Sequence, residues 1–277
     1  MNSPKIPNPV FIYGTAWKED RTESCVLNAL QAGFRAVDTA NQRKHYFEEG
    51  VGNALAAAYQ AGLVRREELF LQTKFTFRRG QDHRLPYDPA APVEEQVRQS
   101  CECSLQHLRT DYLDSYLLHG PSGPEALSAD DFSAWTGMEQ LVRNGKTRTI
   151  GVSNVSLEQL EELWAKATIK PAFVQNRCYA CRAWDQDIRD FCQDKGMAYQ
   201  GFSLLTANVQ EFRHPAFQRR LQELRIPLVQ AVFRFAQQVG MIPLTGTTDP
   251  GHMRLDLESA ALKLSPDDLE LIGSLGR

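Results

Sequence analysis

Eight short apolar runs alternate with amphipathic helical stretches along this chain, and that rhythm predicts an α/β protein closed into a single barrel of eight parallel β/α units. Three observations carry the prediction. Most apolar runs end on a polar residue, glycine follows most of the helical stretches, and no linker or shift in composition divides residues 1–277. Parallel strands need a helix-length crossover between them, so regular strand–helix alternation points to βα units. A length of 277 residues suits one (β/α)8 barrel, or TIM barrel, for which about 250 residues is typical. An open doubly wound sheet is the competing arrangement.

Each unit has its own local signature. Val10 to Tyr13 is the first strand candidate, closing on Gly14 and Thr15, and Thr22 to Ala32 is a helix stopped by Gly33. Phe34 to Asp38 is the second strand; a polar loop carrying Tyr46 leads to a helix that places Val51, Leu55 and Ala58 on one face and ends before Gly62. Leu69 to Thr73 ends on Lys74, and after a loop rich in Pro, Asp and Arg comes a helix with Val93, Val97, Cys101, Leu105 and Leu108 at spacings of three and four. Tyr112 to Leu118 ends on His119, a helix around Phe132 to Asn144 stops at Gly145, and Thr147 to Val152 ends on Ser153 and Asn154. Ser156 and Gln159 form a capping-box signature for the next helix.

The second half keeps this pattern. Ala172 to Val174 ends on Gln175 and Asn176, a helix covers Gln186 to Lys195, and Met197 to Gly201 leads to Phe202 and Ser203. The polar stretch from Asn208 to Arg225 is expected to contain an irregular loop. Leu228, Val232, Phe235 and Val239 outline a helix face, and Met241 to Leu244 is the last strand before Thr245. Asp249-Pro250 and Ser265-Pro266 place a cap before a proline at the first helical position.

Composition narrows the function classes. A net charge of -3, with no Lys/Arg block, gives no electrostatic footprint for nucleic acid. The amino-terminal MNSPKIPNPVF lacks a basic head followed by an apolar run, and no stretch approaches the roughly 20 apolar residues of a membrane span. A cytoplasmic protein without a membrane partner is the expectation. The six cysteines have no framework spacing, and Cys178-x-x-Cys181 has no second ligand pair at zinc-site distance. Reduced structural thiols and no metal are expected. Neither GxGxxG nor GxxxxGK[ST] occurs.

In a barrel the strand ends converge at the carboxyl-terminal mouth, where catalytic groups collect. That mouth would display Thr15, Asp38, Lys74, His119, Ser153, Asn154, Gln175, Phe202, Ser203 and Thr245, with Tyr46 on the loop after the second strand. Taken singly, each has a structural reading: a capping carboxylate, a surface lysine, a hydrogen-bonded core histidine, a packing aromatic. The functional reading rests on their recurrence at successive strand ends.

These residues lie within a set of motifs through which the chain resembles the aldo-keto reductase superfamily over essentially its whole length. They are GTAW at Gly14, AGFRAVDTA at Ala32, VGNAL at Val51, LFLQTK at Leu69, DYLDSYLLHGP at Asp111, IGVSN at Ile150, VQN at Val174, and IPLTGTT at Ile242 followed by LKLSPDDLELI. The resemblance implies the eight-stranded barrel and a nicotinamide cofactor, mostly NADP(H), lying extended across the mouth. It implies catalytic roles for Asp38, Tyr46, Lys74 and His119. It implies cofactor contacts from Thr15, Asp38, Ser153, Asn154, Gln175, Phe202, Ser203, Leu205, Thr245, Thr247 and His252, and substrate contacts from Trp17, Tyr46, Phe77 and His119.

Carbonyl reduction by hydride leaves an alkoxide, so a proton donor must stand within hydrogen-bond reach of that oxygen. Tyr46 is the expected donor. A phenol has an ordinary pKa near 10, and the Lys74 ammonium, held by Asp38, is expected to lower it. His119 is expected to orient the carbonyl as a neutral imidazole.

The chain also departs from the family pattern. Tyr46 follows Asp38 by eight residues where five are usual, and Arg43 takes the usual place, so the second loop must be rebuilt. Gly120 replaces the aromatic beside the histidine and implies a roomier pocket. The chain ends soon after its last helix, so aromatic contacts to substrate are expected from Trp17, Phe75 or Phe77, with the loop through Tyr87 covering the site. Leu244 stands where a Lys usually pairs with the cofactor 2′-phosphate, and His252 where an Arg follows. NADP(H) stays the expectation, with NAD(H) admitted, because Thr245, Thr247, Thr248 and free helix amides near Pro250 offer a phosphate site. The partner is then a small-molecule carbonyl or alcohol, and the assembly a monomer or homodimer. Two other readings stay open: a cofactor-holding scaffold subunit with little turnover, and a different barrel lyase or isomerase.

Overall fold

A computed structural model describes residues 9–277. The leader reading of the first eight residues lies outside that range. The strands are β1 (Ile12–Gly14), β2 (Ala36–Asp38), β3 (Phe70–Phe75), β4 (Leu113–Leu118), β5 (Thr147–Ser153), β6 (Phe173–Arg177), β7 (Ala198–Phe202) and β8 (Met241–Thr245). The helices are α1 (Thr22–Ala32), α2 (Glu48–Gln60), α3 (Val93–Leu108), α4 (Ala129–Arg143), α5 (Leu157–Lys166), α6 (Gln186–Lys195), α7 (Pro215–Leu224), α8 (Leu228–Gln238), α9 (Pro250–Glu258) and α10 (Pro266–Gly273). Every strand pairs in parallel with its sequence neighbour, and β8 closes on β1 through Ile12↔Leu244 and Tyr13↔Thr245. Closure excludes the open sheet and bears out the (β/α)8 barrel.

Side-chain alternation along each strand separates two cores. Ile12, Ala36, Phe70, Leu117, Phe173, Ile242 and Leu244 form one cluster, which fills the barrel. Tyr13, Val37, Leu71, Tyr116, Val152 and Val174 point the other way, into the larger cluster beneath the helices. The inward row of β3 is therefore Phe70, Gln72 and Lys74: apolar low in the barrel, polar toward the mouth.

Several helix starts follow their caps. Ser156 accepts from the Gln159 amide and Ser265 from the Asp268 amide, each with the reciprocal side-chain bond of a capping box. Asp249 accepts from the His252 amide, with Pro250 at the first helical position. Within the polar stretch 208–225 the irregular part ends at His214, and the rest is a helix that the sequence does not announce: α7 begins at Pro215 and buries Phe217 and Leu221 at a spacing of four. The third strand also runs past its expected end, so Lys74 lies inside β3 and is fully buried instead of standing at the rim.

Candidate active site

Register brings the central pair together. Asp38 pairs with Gln72 across β2 and β3, and Lys74, two residues farther on the same face, reaches back over that pairing. Lys74 Nζ donates to Asp38 Oδ1 at 2.7 Å, to Asp38 Oδ2 at 2.6 Å and to the Thr39 carbonyl at 2.8 Å. All three ammonium hydrogens are thereby directed. Asp38 Oδ1 also accepts from Gln72 Nε2 at 2.8 Å and from Gln175 Nε2 at 3.1 Å, and both amides bond Gln200 Oε1. A buried ion pair is tolerable only when its remaining hydrogen-bonding capacity is met, and these three glutamines meet it. Burial pulls the Lys74 pKa down, while the Asp38 charge works in the opposite sense.

The rebuilt loop after β2 delivers Tyr46 to the mouth. The amides of His45 and Tyr46 both donate to the Gln42 carbonyl, and Gln42 Nε2 bonds the Gly80 carbonyl at 2.6 Å. The Trp17 ring lies against His45 at 3.9 Å, and the Trp17 amide donates to the His45 carbonyl. Tyr46, half-buried, meets His119 edge to face with centroids 5.8 Å apart, and Lys74 Nζ lies 5.4 Å from the centre of its ring. The expected acidification is not found: burial first, then the Asp38 charge, pushes the Tyr46 phenol above its ordinary value. Desolvation of a phenolate outweighs the ammonium here, because that ammonium is neutralised at short range by Asp38.

His119 follows β4 directly. Burial, then the Lys74 and His45 charges, hold its pKa down to about 3, which keeps the imidazole neutral. Its Nδ1 lies 2.6 Å from the Thr76 hydroxyl, and its carbonyl accepts from Asn154 Nδ2 at 2.8 Å.

A cleft of about 740 Å3 runs across the mouth from Tyr46 and His119 to Thr248 and Asp256. Of the residues singled out from sequence, Asp38, Tyr46, His119, Ser153, Asn154, Gln175, Phe202, Ser203, Leu205, Thr245, Thr247, His252 and Trp17 line it. Thr15 does not; it is fully buried and donates its hydroxyl to the Asp38 carbonyl. Lys74 lies beneath Asp38, and Phe77 lines a second cavity of about 1080 Å3. The two cavities share His119 and Asn154, and Gly120 borders the second. Phe75 is corrected as a substrate contact: it is fully buried against Phe77 and Tyr87. Tyr87 is also buried, with its hydroxyl on the Thr76 carbonyl, so it packs beneath the rim instead of covering it. Trp17, Asn154 and Ser203 have positive φ angles of 62°, 54° and 56°. Such backbone strain concentrates at functional sites.

Two charged residues of the cleft escaped the sequence reading. Lys18 is buried, with Nζ 2.7 Å from the Gly246 carbonyl; a lysine in a polar loop reads as surface, and only its place after GTAW hints otherwise. Asp256 is buried, accepts from Thr245 Oγ1 at 2.7 Å, and is pushed up to about 6 by burial. The helix amides near Pro250 are not all free, because the Asp249 carboxylate occupies that of His252 at 2.8 Å. Among the described residues no His, Cys, Asp or Glu cluster has metal-binding geometry, and no helix is long and apolar enough to cross a membrane.

Comparison with known proteins places this arrangement. The chain is 31% identical to an NAD/NADP-dependent indole-3-acetaldehyde reductase of Schizosaccharomyces pombe, over 99% of this chain and 93% of the relative. It is 29% identical to a glyoxal reductase of Bacillus subtilis, over 93% of this chain and 84% of the relative. The crystal structure of an aldo/keto reductase from Brucella melitensis superposes with a TM-score of 0.80 at 26% identity, covering 96% of this chain and 95% of the other. That of a Bombyx mori aldo-keto reductase in complex with NADP does so with a TM-score of 0.81 at 25% identity, covering 96% and 88%. The profile of the Aldo/keto reductase family matches residues 12–277, and the chain belongs to that family.

Proposed function

We propose that this protein reduces aldehyde or ketone carbonyls to alcohols with NADP(H), Tyr46 giving the proton. The observation that carries the reading is the convergence of Tyr46, His119 and the buried Lys74–Asp38 pair on one wall of the cleft. The cleft suits a dinucleotide in size and in its donors. Its volume falls within the roughly 300–1,000 Å3 of cofactor sites, Phe202 offers an aromatic face, and Ser153, Asn154 and Gln175 offer polar groups for a carboxamide. The Gln175 amide nitrogen is engaged by Asp38 and Gln200, which leaves its carbonyl oxygen to accept.

A bound reduced nicotinamide supplies the hydride. The remaining work belongs to the chain. His119, neutral and with Nδ1 against the Thr76 hydroxyl, presents Nε2–H to the carbonyl oxygen and fixes its position. Tyr46 stays protonated until the oxygen becomes an alkoxide, a much stronger base than phenolate, and then transfers its proton. Lys74, with Nζ 5.4 Å from the centre of the Tyr46 ring, is the cation placed beside the phenolate that remains. The second cavity, open past Gly120, takes the body of the substrate.

Discrimination between the two cofactors is weak in this reading. Leu244 brings no charge to the cleft, Lys18 is tied to the Gly246 carbonyl, and His252 stands near the carboxylates of Asp249 and Asp256. NADPH retains the advantage through Lys18 and the Thr245, Thr247 and Thr248 hydroxyls, by no more than about tenfold, or 1.4 kcal/mol. Titrating both cofactors against protein fluorescence and following NADPH oxidation over a panel of aldehydes and ketones tests the proposal. Carbonyl-dependent oxidation with tighter NADPH binding is expected. Tighter NADH binding overturns the cofactor assignment, and tight binding without turnover on any carbonyl overturns the enzymatic one. That last outcome is the scaffold reading, which draws on Lys74 having no N–H left for Tyr46.

A further inference from the structure

A smaller cavity of about 300 Å3, on the far side of Tyr46 from the cleft, lies between the loop before α2, the loop after β3 and the outer face of α3, and shares Tyr46 with the cleft and Gln42 with the second cavity. Cys103 and His107 stand one helical turn apart in its wall. His107 Nε2 is 3.5 Å from Cys103 Sγ, and His107 Nδ1 is 3.2 Å from Glu48 Oε2. Glu48 is buried at the start of α2, and its other oxygen accepts from the Thr73 hydroxyl. Thiol, imidazole and carboxylate are thus in contact: Cys103 Sγ lies within 3.8 Å of both ring nitrogens of His107, with Glu48 on Nδ1. We propose that Cys103, His107 and Glu48 form an activated thiol that is covalently modified by small α,β-unsaturated carbonyl compounds entering this cavity.

The chemistry balances without an added oxidant or reductant. The Cys103 proton is lost to water beside the His107 imidazolium, the sulfur forms a bond to the β-carbon, and the C=C electron pair moves to the α-carbon. The enolate so formed takes a proton from the His107 imidazolium, and the proton that His107 gives is replaced from water. A thiolate is the nucleophile in such additions, and an adjacent imidazolium is what makes it available near neutral pH. Hydrogen bonds with Cys103 and then Glu48 raise the His107 pKa to about 10, which favours the imidazolium. The charged and titratable groups around the sulfur are His107 on α3, Glu48 and Glu49 on α2, Arg43 and Arg84 from the two loops, and Tyr116 from β4. Arg43, paired with Glu19, and Arg84, paired with Asp82, border the cavity and give it positive charge. Glu49 competes for the imidazole, with Oε1 3.4 Å from His107 Nε2. Cys101, one residue removed from Cys103, is the contrast: fully buried, its thiol is pushed up to about 12.

Cys181 is exposed and supplies an internal reference. The test treats the whole protein at pH 6 with limiting N-ethylmaleimide and measures adduct formation at each cysteine by peptide mass spectrometry. Cys103 is expected to react at least about tenfold faster than Cys181, and the His107→Gln variant to lose that advantage. Cys103 reacting no faster than Cys181, or keeping its rate in folded His107→Gln protein, overturns the proposal. Should His107→Gln lose its melting transition, Glu48→Gln takes its place: a slower Cys103 supports the triad, and an unchanged one overturns it.

Discussion

Lys74 and Asp38 are hydrogen-bonded to each other and buried inside the barrel, so removing one leaves the other buried without its bonded counter-charge. Lys74→Met should cost about 3–5 kcal/mol of stability, and the Asp38→Asn/Lys74→Met double variant should recover most of it, since the neutral pair has no stranded charge. Urea midpoints measure both, and a double variant no more stable than Lys74→Met contradicts the pairing argument. For His119 the sign follows from where its proton is bound. Its folded pKa is about 3 against an ordinary 6.5, so below about pH 6.5 the unfolded chain takes up a proton that the folded one refuses. Stability falls as pH drops from about 6.5 toward 3, and His119→Gln should flatten that part of the profile in urea melts from pH 7 to 4. A parallel profile in the variant would place the acid sensitivity elsewhere. At this scale the sequence showed the acid, base, imidazole and phenol because such groups at strand ends carry chemistry. It did not show Gln72 and Gln200, whose neutral amides matter only through register, nor the raised Tyr46 phenol, which depends on how burial and a paired ammonium compete.

Helix packing turns on close approaches that only a glycine allows. A Cβ at Gly52 on α2 would stand 1.9 Å from the His107 carbonyl oxygen and 3.1 Å from the Leu108 Cα, both backbone atoms of α3. Gly52→Ala should therefore destabilise by at least about 2 kcal/mol, read as a lower melting temperature, and a variant that melts with the wild type would show that α2 and α3 slide apart freely. Gly52 is identifiable in VGNAL as a glycine in a helix, yet its partner helix is not. Element starts were legible where a cap announces them, as at Ser156, Asp249 and Ser265. The α4 start was placed at Phe132, although Ser128 and Asp131 form a capping box and the helix begins at Ala129. The α7 helix was missed because its apolar residues, Phe217 and Leu221, are sparse among Arg, Gln and Glu. β2 and β4 end where expected at Asp38 and Leu118, and the other six strands end one to three residues later, since pairing with a neighbour, not local composition, decides where a strand stops.

Closure gives the molecule its working geometry. β1 has only three residues, yet its pairing with both β2 and β8 completes the ring and sets Gly14 and the Trp17–Lys18 turn against the Thr245–Thr248 turn across the cleft. Alternation of strands and helices announced the barrel, because parallel pairing requires those crossovers; the β1–β8 contact, spanning the chain, had no local signal. The resulting mouth joins a long, largely apolar cleft with polar groups at its two ends to a second chamber at His119, which suits a cofactor and a substrate meeting at one point. Whether the molecule uses that junction for chemistry or only for binding comes down to one hydroxyl. The direct measurement is NADPH oxidation on a carbonyl that the wild type reduces, made with Tyr46→Phe alongside a cofactor titration. Turnover should fall by at least about a hundredfold while the NADPH dissociation constant stays within about twofold; a Tyr46→Phe protein that turns over at the wild-type rate contradicts the account.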